Sequence, residues 1–209
     1  LIATSGLDLY VTDCHGVTEW NACPANMKIP AEGNTGKFTY KDLEYHNYHN
    51  MGSQYRLFLP LLSEVKSLKI GIPDSCELKW APVTQERPIV VYGTSIAQGI
   101  AASRPAMAWS NQLTRRLDTP VINLAFSGNA LGDREVYDLI SEIDAQLYVI
   151  DCMPNMYNVR DSIVARTLYG VEKIRKVSQK PILLVENCGY TYASTNEPIK
   201  NEQIVTNRE

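Results

Sequence analysis

Four continuous apolar runs, "PIVVYG", "PVINLAFSG", "AQLYVIDCMPN" and "KPILLVENCG", constrain the fold of this chain more than any other feature. They do not alternate with polar residues, which is the pattern of strands covered on both faces of a parallel sheet. Helical periodicity fills the intervals. Ala106, Trp109, Leu113 and Leu117 share one face of the first interval, and Val136, Leu139, Ile140 and Ile143 share one of the second. Val164, Leu168, Val171 and Ile174 do the same in the third. Strand and helix in alternation predict right-handed crossovers and a doubly wound parallel α/β sheet.

The first half has a different period. "LDLYVTD" alternates, and "GKFTYKDLEY", "QYRLFLPLL" and "SLKIGIP" are short strand-like runs bounded by Gly, Asn and Pro. The expected organisation is a β-rich, sandwich-like module over residues 1–80, a proline-containing linker over 81–87, and an α/β domain over 88–209.

Composition excludes several classes of function. In 209 residues, 44% hydrophobic and 21% charged, the net charge of −3 provides no basic field for nucleic acid. No apolar run approaches the ~20 residues that span a bilayer. The five cysteines (Cys14, Cys23, Cys76, Cys152 and Cys188) contain no CxxC pair, so neither a zinc ribbon nor a dense disulfide framework is expected. Cys14 and Cys23 can pair in an oxidising compartment, whereas Cys152 and Cys188 read as buried small hydrophobes. Nothing in the sequence calls for a metal or an organic cofactor.

In a parallel sheet all strand-to-helix loops leave from one edge, where ligands bind. Three successive loops there are Gly93-Thr94-Ser95, Ser127-Gly128-Asn129 and Pro154-Asn155. If the strand order begins 2-1-3, the serine loop lies between the other two, and strands about 4.8 Å apart let all three meet one small group. A serine nucleophile needs exposure, a base, and donors for the oxyanion formed on attack. A sharp turn presents Ser95, the backbone of Gly128 offers an unobstructed N–H, and Asn155 donates through its amide. Each element also has an ordinary reading: Thr94 and Ser95 as helix caps, "SGN" as a turn, "PN" as loop punctuation. Their coincidence on one edge favours the chemical reading. Glu186 and Asp151 point to the same edge. Glu186 reads either as orienting substrate or a loop, or as a cap or partner of a surface lysine, and Asp151 as a support for loop backbone or a substrate contact.

"YGTSIAQG", "FSGN" and "DCMPNM" resemble the first three sequence blocks of the SGNH (GDSL-type) hydrolases, a flavodoxin-like family. "SGLDLYV" and "YRLFLPLLSEVKSLKIGIP" are similar to the β-sandwich module that one bacterial subgroup places before the hydrolase domain. The resemblance implies a serine esterase acting on a small or carbohydrate ester, in a periplasmic or extracellular setting. It places the nucleophile at Ser95 and the oxyanion donors at Ser95, Gly128 and Asn155. Thr94 stands where the family has aspartate. The family's base, a histidine in a C-terminal DxxH block, has no counterpart here, so the resemblance implies a fragment cut at both ends.

The histidines of this chain are His15, His46 and His49, all in the β-rich half. "EYHNYHN" reads as a polar aromatic loop, and an HxxH pair without a third ligand is weak as a zinc site. Two other functions compete with the esterase. One is a glycan-binding protein with a degenerate hydrolase domain. The other is a phosphate binder using "GTSIAQG", which lacks the further glycines or lysine of phosphate-binding loops.

Overall fold

The computed structural model describes residues 6–13, 20–23, 25–28, 36–41, 43 and 52–208. The chain divides into two units: Leu1–Gly71 with Ala101–Arg115, and Ile72–Ile100 with Arg116–Glu209.

In the first unit, β1 (Asp8–Asp13) lies between β2 (Asn21–Ala22) and β5 (Ser53–Phe58), antiparallel to both. A second antiparallel pair joins β3 (Ala25–Lys28) to β4 (Lys37–Tyr40). Alternation along β1 buries Asp8, Tyr10 and Thr12 together, which puts a carboxylate among core residues. Arg104 compensates it. Its Nε donates to Asp8 Oδ2 at 2.9 Å, and one terminal nitrogen donates to the Tyr10 hydroxyl at 2.8 Å. The Ala106 N–H also donates to Asp8 Oδ2. Tyr10 meets Phe58 edge to face at 5.7 Å, with the Arg115 guanidinium 4.3 Å from the Tyr10 ring centre.

One expectation for the first half needs correction. "SLKIGIP" forms no strand, and residues 59–88 carry no helix or strand. Leu68, Ile70 and Ile72 alternate but all remain exposed, and no strand among the described residues pairs with them to complete a buried face. Cys14 lies outside the described residues, while Cys23 is buried, with burial pushing its thiol pKa up.

The second unit contains the predicted parallel sheet. Its order is β7 (Val121–Ala125), β6 (Ile89–Gly93), β8 (Leu147–Asp151), β9 (Ile182–Leu184), so the first run is flanked by the second and third. All five β6 residues are buried. Val90 and Tyr92 of β6, with Tyr148 and Ile150 of β8, face a core shared with α3 (Arg134–Ile140) and α4 (Ile163–Arg175). At about 25 cal/mol per Å², burial of these side chains is the main favourable contribution to folding of this unit. On the other face, the short α1 (Ser95–Gln98) lies against β6 and β7. The next helix, α2, covers Trp109–Leu117, and α5 covers Glu197–Arg208.

The helices exist where their periodicity places them, and their expected faces are buried in part: Ile140 and Ile174 are buried, and Val136 and Ile143 pack against the core. Leu139, Val164 and Leu168 are instead exposed, while Tyr137, Ile163 and Gly170, outside those faces, are buried. At Gly170 of α4 a β-carbon would collide with the Tyr137 ring, so glycine is what lets this side of the helix pack against the aromatic residue. Trp109 and Leu117 are likewise exposed, while Ala106 and Ser110 are buried. Cys152 is buried, as expected, but Cys188 is exposed. Strand β9 ends at Leu184, so Cys188 falls in the following loop, where Asn187 takes the interior position.

Candidate functional site

The turn after β6 is shaped by close packing. A β-carbon at Gly93 would stand 2.6 Å from that of Ala97 and 2.8 Å from the Asp151 carbonyl oxygen. Only glycine lets α1 fold back so tightly. Thr94 follows as the N-cap, wholly buried, with Oγ1 accepting from the Ile96 N–H at 3.3 Å. Its own N–H donates to the Asp151 carbonyl at 3.2 Å. Ser95 is the first helical residue and is half-buried. Capping is therefore performed by Thr94, which leaves the Ser95 hydroxyl without that task.

The loop after β7 starts beside this turn, with the Phe126 N–H donating to the Gly93 carbonyl at 2.8 Å. It then passes three left-handed residues, Gly128 (φ 71°), Ala130 (φ 65°) and Gly132 (φ 72°). At Gly128 a β-carbon would touch nothing, so the backbone conformation is what calls for glycine. Ala130 is left-handed without that licence and is completely buried, so its surroundings hold it. Asp133 supplies much of this restraint. Its Oδ2 accepts from the Tyr92 hydroxyl at 2.7 Å and from the Leu131 N–H at 3.2 Å. Its own N–H donates to the same Tyr92 oxygen at 3.0 Å. Arg166 closes the loop from α4, donating to the Leu131 carbonyl at 3.1 Å. Burial raises the Tyr92 phenol pKa, so it stays a neutral donor.

Asn155 lies in 3₁₀ turns spanning Met153–Ser162, behind a buried Pro154. Its amide donates to the Asn129 carbonyl at 2.5 Å, bridging the second and third loops. The second amide hydrogen remains to be used. Gly128, Pro154 and Asn155 line one side of a cavity of about 300 Å³. Tyr157, Asn158, Tyr190 and Glu202 line it further, with Leu131. Two of the three candidate residues, Gly128 and Asn155, thus share one cavity. Ser95 occupies the same sheet edge but is not among the residues lining it.

Asn187 organises the far wall. It is buried, accepts at its carbonyl from Gln203 and Asn207 of α5, and receives Gly189 N–H on its side-chain oxygen. Its amide donates to Thr206 Oγ1 at 3.2 Å, and its N–H donates to Asn207 Oδ1 at 2.8 Å. Gly189, at φ 73°, packs where any β-carbon would strike Gln203. These bonds fix α5, and with it Glu202, against the segment carrying Tyr190.

Glu186 is exposed. Asp151 closes β8 under the serine turn, and burial pushes its carboxyl pKa up to about 6. Cys152 is pushed up to about 12 by burial, the state of a structural thiol rather than a nucleophile. His15, His46 and His49 all lie outside the described residues. Reasoning from the sequence overlooked Asp133, Arg166 and Asn187. One available signal was Tyr92, because a tyrosine inside a fully apolar strand requires a buried partner for its hydroxyl. No helix of the described residues is long and apolar enough to cross a membrane.

Comparison with known proteins agrees with this architecture. Residues 86–209 match the model of the GDSL-like lipase/acylhydrolase family, and residues 1–78 match that described as the N-terminus of SGNH_hydro-type esterases. The crystal structure of a candidate GDSL-like lipase from Bacteroides ovatus superposes with a TM-score of 0.82 at 31% identity, covering 99% of this chain. The chain spans 58% of that protein's length. The salicylyl-acyltransferase SsfX3 of a tetracycline biosynthetic pathway shares the fold, with a TM-score of 0.60 at 16% identity over 96% of this chain and 56% of its own. No curated protein matches the sequence. The parallel sheet in the order β7-β6-β8-β9 and the family model matched over residues 86–209 lead to one conclusion: the chain belongs to the GDSL-like lipase/acylhydrolase family.

Proposed function

We propose that this family member is a serine esterase that deacylates a small or carbohydrate ester through Ser95, using an α/β domain of residues 88–209 joined by a linker at 81–87 to an accessory β module of residues 1–80. The observation that carries the reading is the shared cavity of Gly128 and Asn155, which come from different loops and are linked through Asn129. Ser95 stands on the loop between theirs and is spared capping duty by Thr94.

In the proposed reaction the Ser95 oxygen attacks the ester carbonyl while its proton passes to a base. The carbonyl oxygen becomes an oxyanion held by the N–H groups of Ser95 and Gly128 and by the Asn155 amide. Collapse expels the alcohol, which takes a proton from the base, and water then releases the acyl group by the same route. The base is assigned to the histidine of the DxxH block that the resemblance implies.

The test is hydrolysis of 4-nitrophenyl acetate by the native-length protein. Ser95→Ala should leave almost none, because the nucleophile and its base act as one unit. Asn155→Ala should lower kcat by about 10²- to 10³-fold, the usual effect of losing one oxyanion donor. Unchanged turnover in Ser95→Ala would end the covalent mechanism. Binding of a glycan without any serine-dependent turnover would favour the degenerate, glycan-binding alternative.

A further inference from the structure

We infer that the cavity beside Gly128 and Asn155 is a subsite for an uncharged, polyhydroxylated alcohol group, and that Glu202 makes it reject anionic ones. The inference rests on the esterase reading for which half of the ester occupies the cavity. The recognition itself rests on the lining.

Glu202 is the only charged residue among the described lining residues. An ionised carboxylate is acceptor-only, so it favours hydroxyl donors and repels carboxylate or phosphate. The Asn158 amide both donates and accepts, as neighbouring hydroxyls on a ring require. Tyr157 and Tyr190 add aromatic surface with polar tips, suited to a ring with apolar C–H faces and hydroxyl edges. Leu131 and Pro154 are the only aliphatic residues of the described lining, too little apolar surface for a long acyl chain. The volume of about 300 Å³ is at the small end of ligand sites, which suits one ring rather than an extended chain.

The subsite is also braced. Gln203 and Thr206 flank Glu202 along α5, and both are tied to the buried Asn187. Glu202 is therefore held on a fixed helix rather than on a swinging loop, which lowers the ordering cost of binding. Arg160 lies over the Tyr157 ring, 5.8 Å from its centre, and is not part of the lining.

The experiment is a ¹⁵N chemical-shift titration of the 209-residue chain with three probes. They are methyl β-glucopyranoside, its C6-carboxylate counterpart methyl β-glucuronide, and cyclohexanol. The glucoside should bind at least about tenfold more tightly than the glucuronide, a difference of ~1.4 kcal/mol. Shifts should centre on Asn158, Tyr190 and Glu202. Glu202→Gln should bring the two sugars within about threefold of each other, and Tyr190→Ala should weaken the glucoside by about tenfold, within the range of a lost pocket contact. Dispersed spectra of both variants establish that they fold.

Equal affinity for the two sugars, tighter binding of cyclohexanol, absence of glucoside binding, or shifts confined elsewhere would each overturn the subsite. The esterase reading is judged separately by the Ser95→Ala assay. Serine-dependent turnover without sugar binding sinks the subsite alone. Charge-selective sugar binding without serine-dependent turnover keeps the subsite and sinks the esterase.

Discussion

The turns after β6 and β7 begin one hydrogen bond apart, yet they are held by opposite means. The serine turn is mostly local, with the Asp151 backbone as its remote support. Gly93, Thr94 and Ala97 lie within five residues, and the shape follows from a missing β-carbon and one cap. The Gly128 loop is held from a distance. Tyr92 is 41 residues from Asp133, and Arg166 reaches Leu131 across 35. A locally determined turn tolerates no change in its own few atoms. A remotely held loop can keep its sequence and still lose its shape.

Gly93→Ala tests the local side and should have the largest effect. Its methyl group would press on the Asp151 backbone as well as on Ala97, and backbone cannot swing aside. Overpacking of this kind costs about 3 kcal/mol. A large fall in Tm is expected, with the serine turn lost. A Tm within a degree or two of the parent would mean that α1 can lift off the strand, and the turn would not be locally determined.

Asp133→Ala tests the remote side with an intermediate effect. It strands the Tyr92 hydroxyl and the Leu131 N–H, whose loss should cost about 2 kcal/mol. The Gly128 amide should exchange with solvent faster, while amides of the serine turn keep their protection. Asp133→Asn retains an acceptor and should recover most of the stability. If both turns loosen together in Asp133→Ala, they form one cooperative element and the contrast disappears.

The same contrast explains what the sequence made legible. The parallel sheet was accessible because continuous apolar runs and short crossovers leave few topologies, among them the 2-1-3 order that the structure has. The loops bearing Ser95, Gly128 and Asn155 were visible because glycine, serine and proline break apolar runs at fixed places. The devices that hold those loops were not visible. Asp133 occupies the N-cap position of α3, but its carboxylate makes no cap bond and instead engages Tyr92 and Leu131. Asn187 was passed over for its neighbour Glu186, since nothing local distinguishes a buried amide hub from a polar loop residue. The pairing of Asp8 with Arg104 spans 96 residues and has no periodic signature. Helix faces were legible only in part for a related reason: Ile140 and Ile174 are buried as expected, but the close packing of Gly170 on Tyr137 has no periodic signature.

Asp151 joins the two modes and gives the smallest expected effect. Its carbonyl receives the Thr94 N–H, so its backbone is the floor of the serine turn, while its side chain is withdrawn from water at the end of β8. Burial raises its carboxyl pKa from 3.8 to about 6, so the folded protein holds this proton more tightly than the unfolded chain does. Stability from this group is therefore full below pH ~4 and is lost as the pH rises to ~6, beyond which the charged form is a constant penalty. The displacement sets an upper limit of about 3 kcal/mol, and because water reaches part of the carboxyl, ~1 kcal/mol is the expected size. Asp151→Asn removes the ionisation while keeping the backbone contacts. The variant should match the parent in Tm near pH 4, exceed it by a few degrees at pH 8, and show a flatter profile between. Parallel profiles for the two proteins would mean that the Asp151 carboxyl titrates alike in the folded and unfolded chain, and that its charge is as well accommodated at the floor of the serine turn as in water.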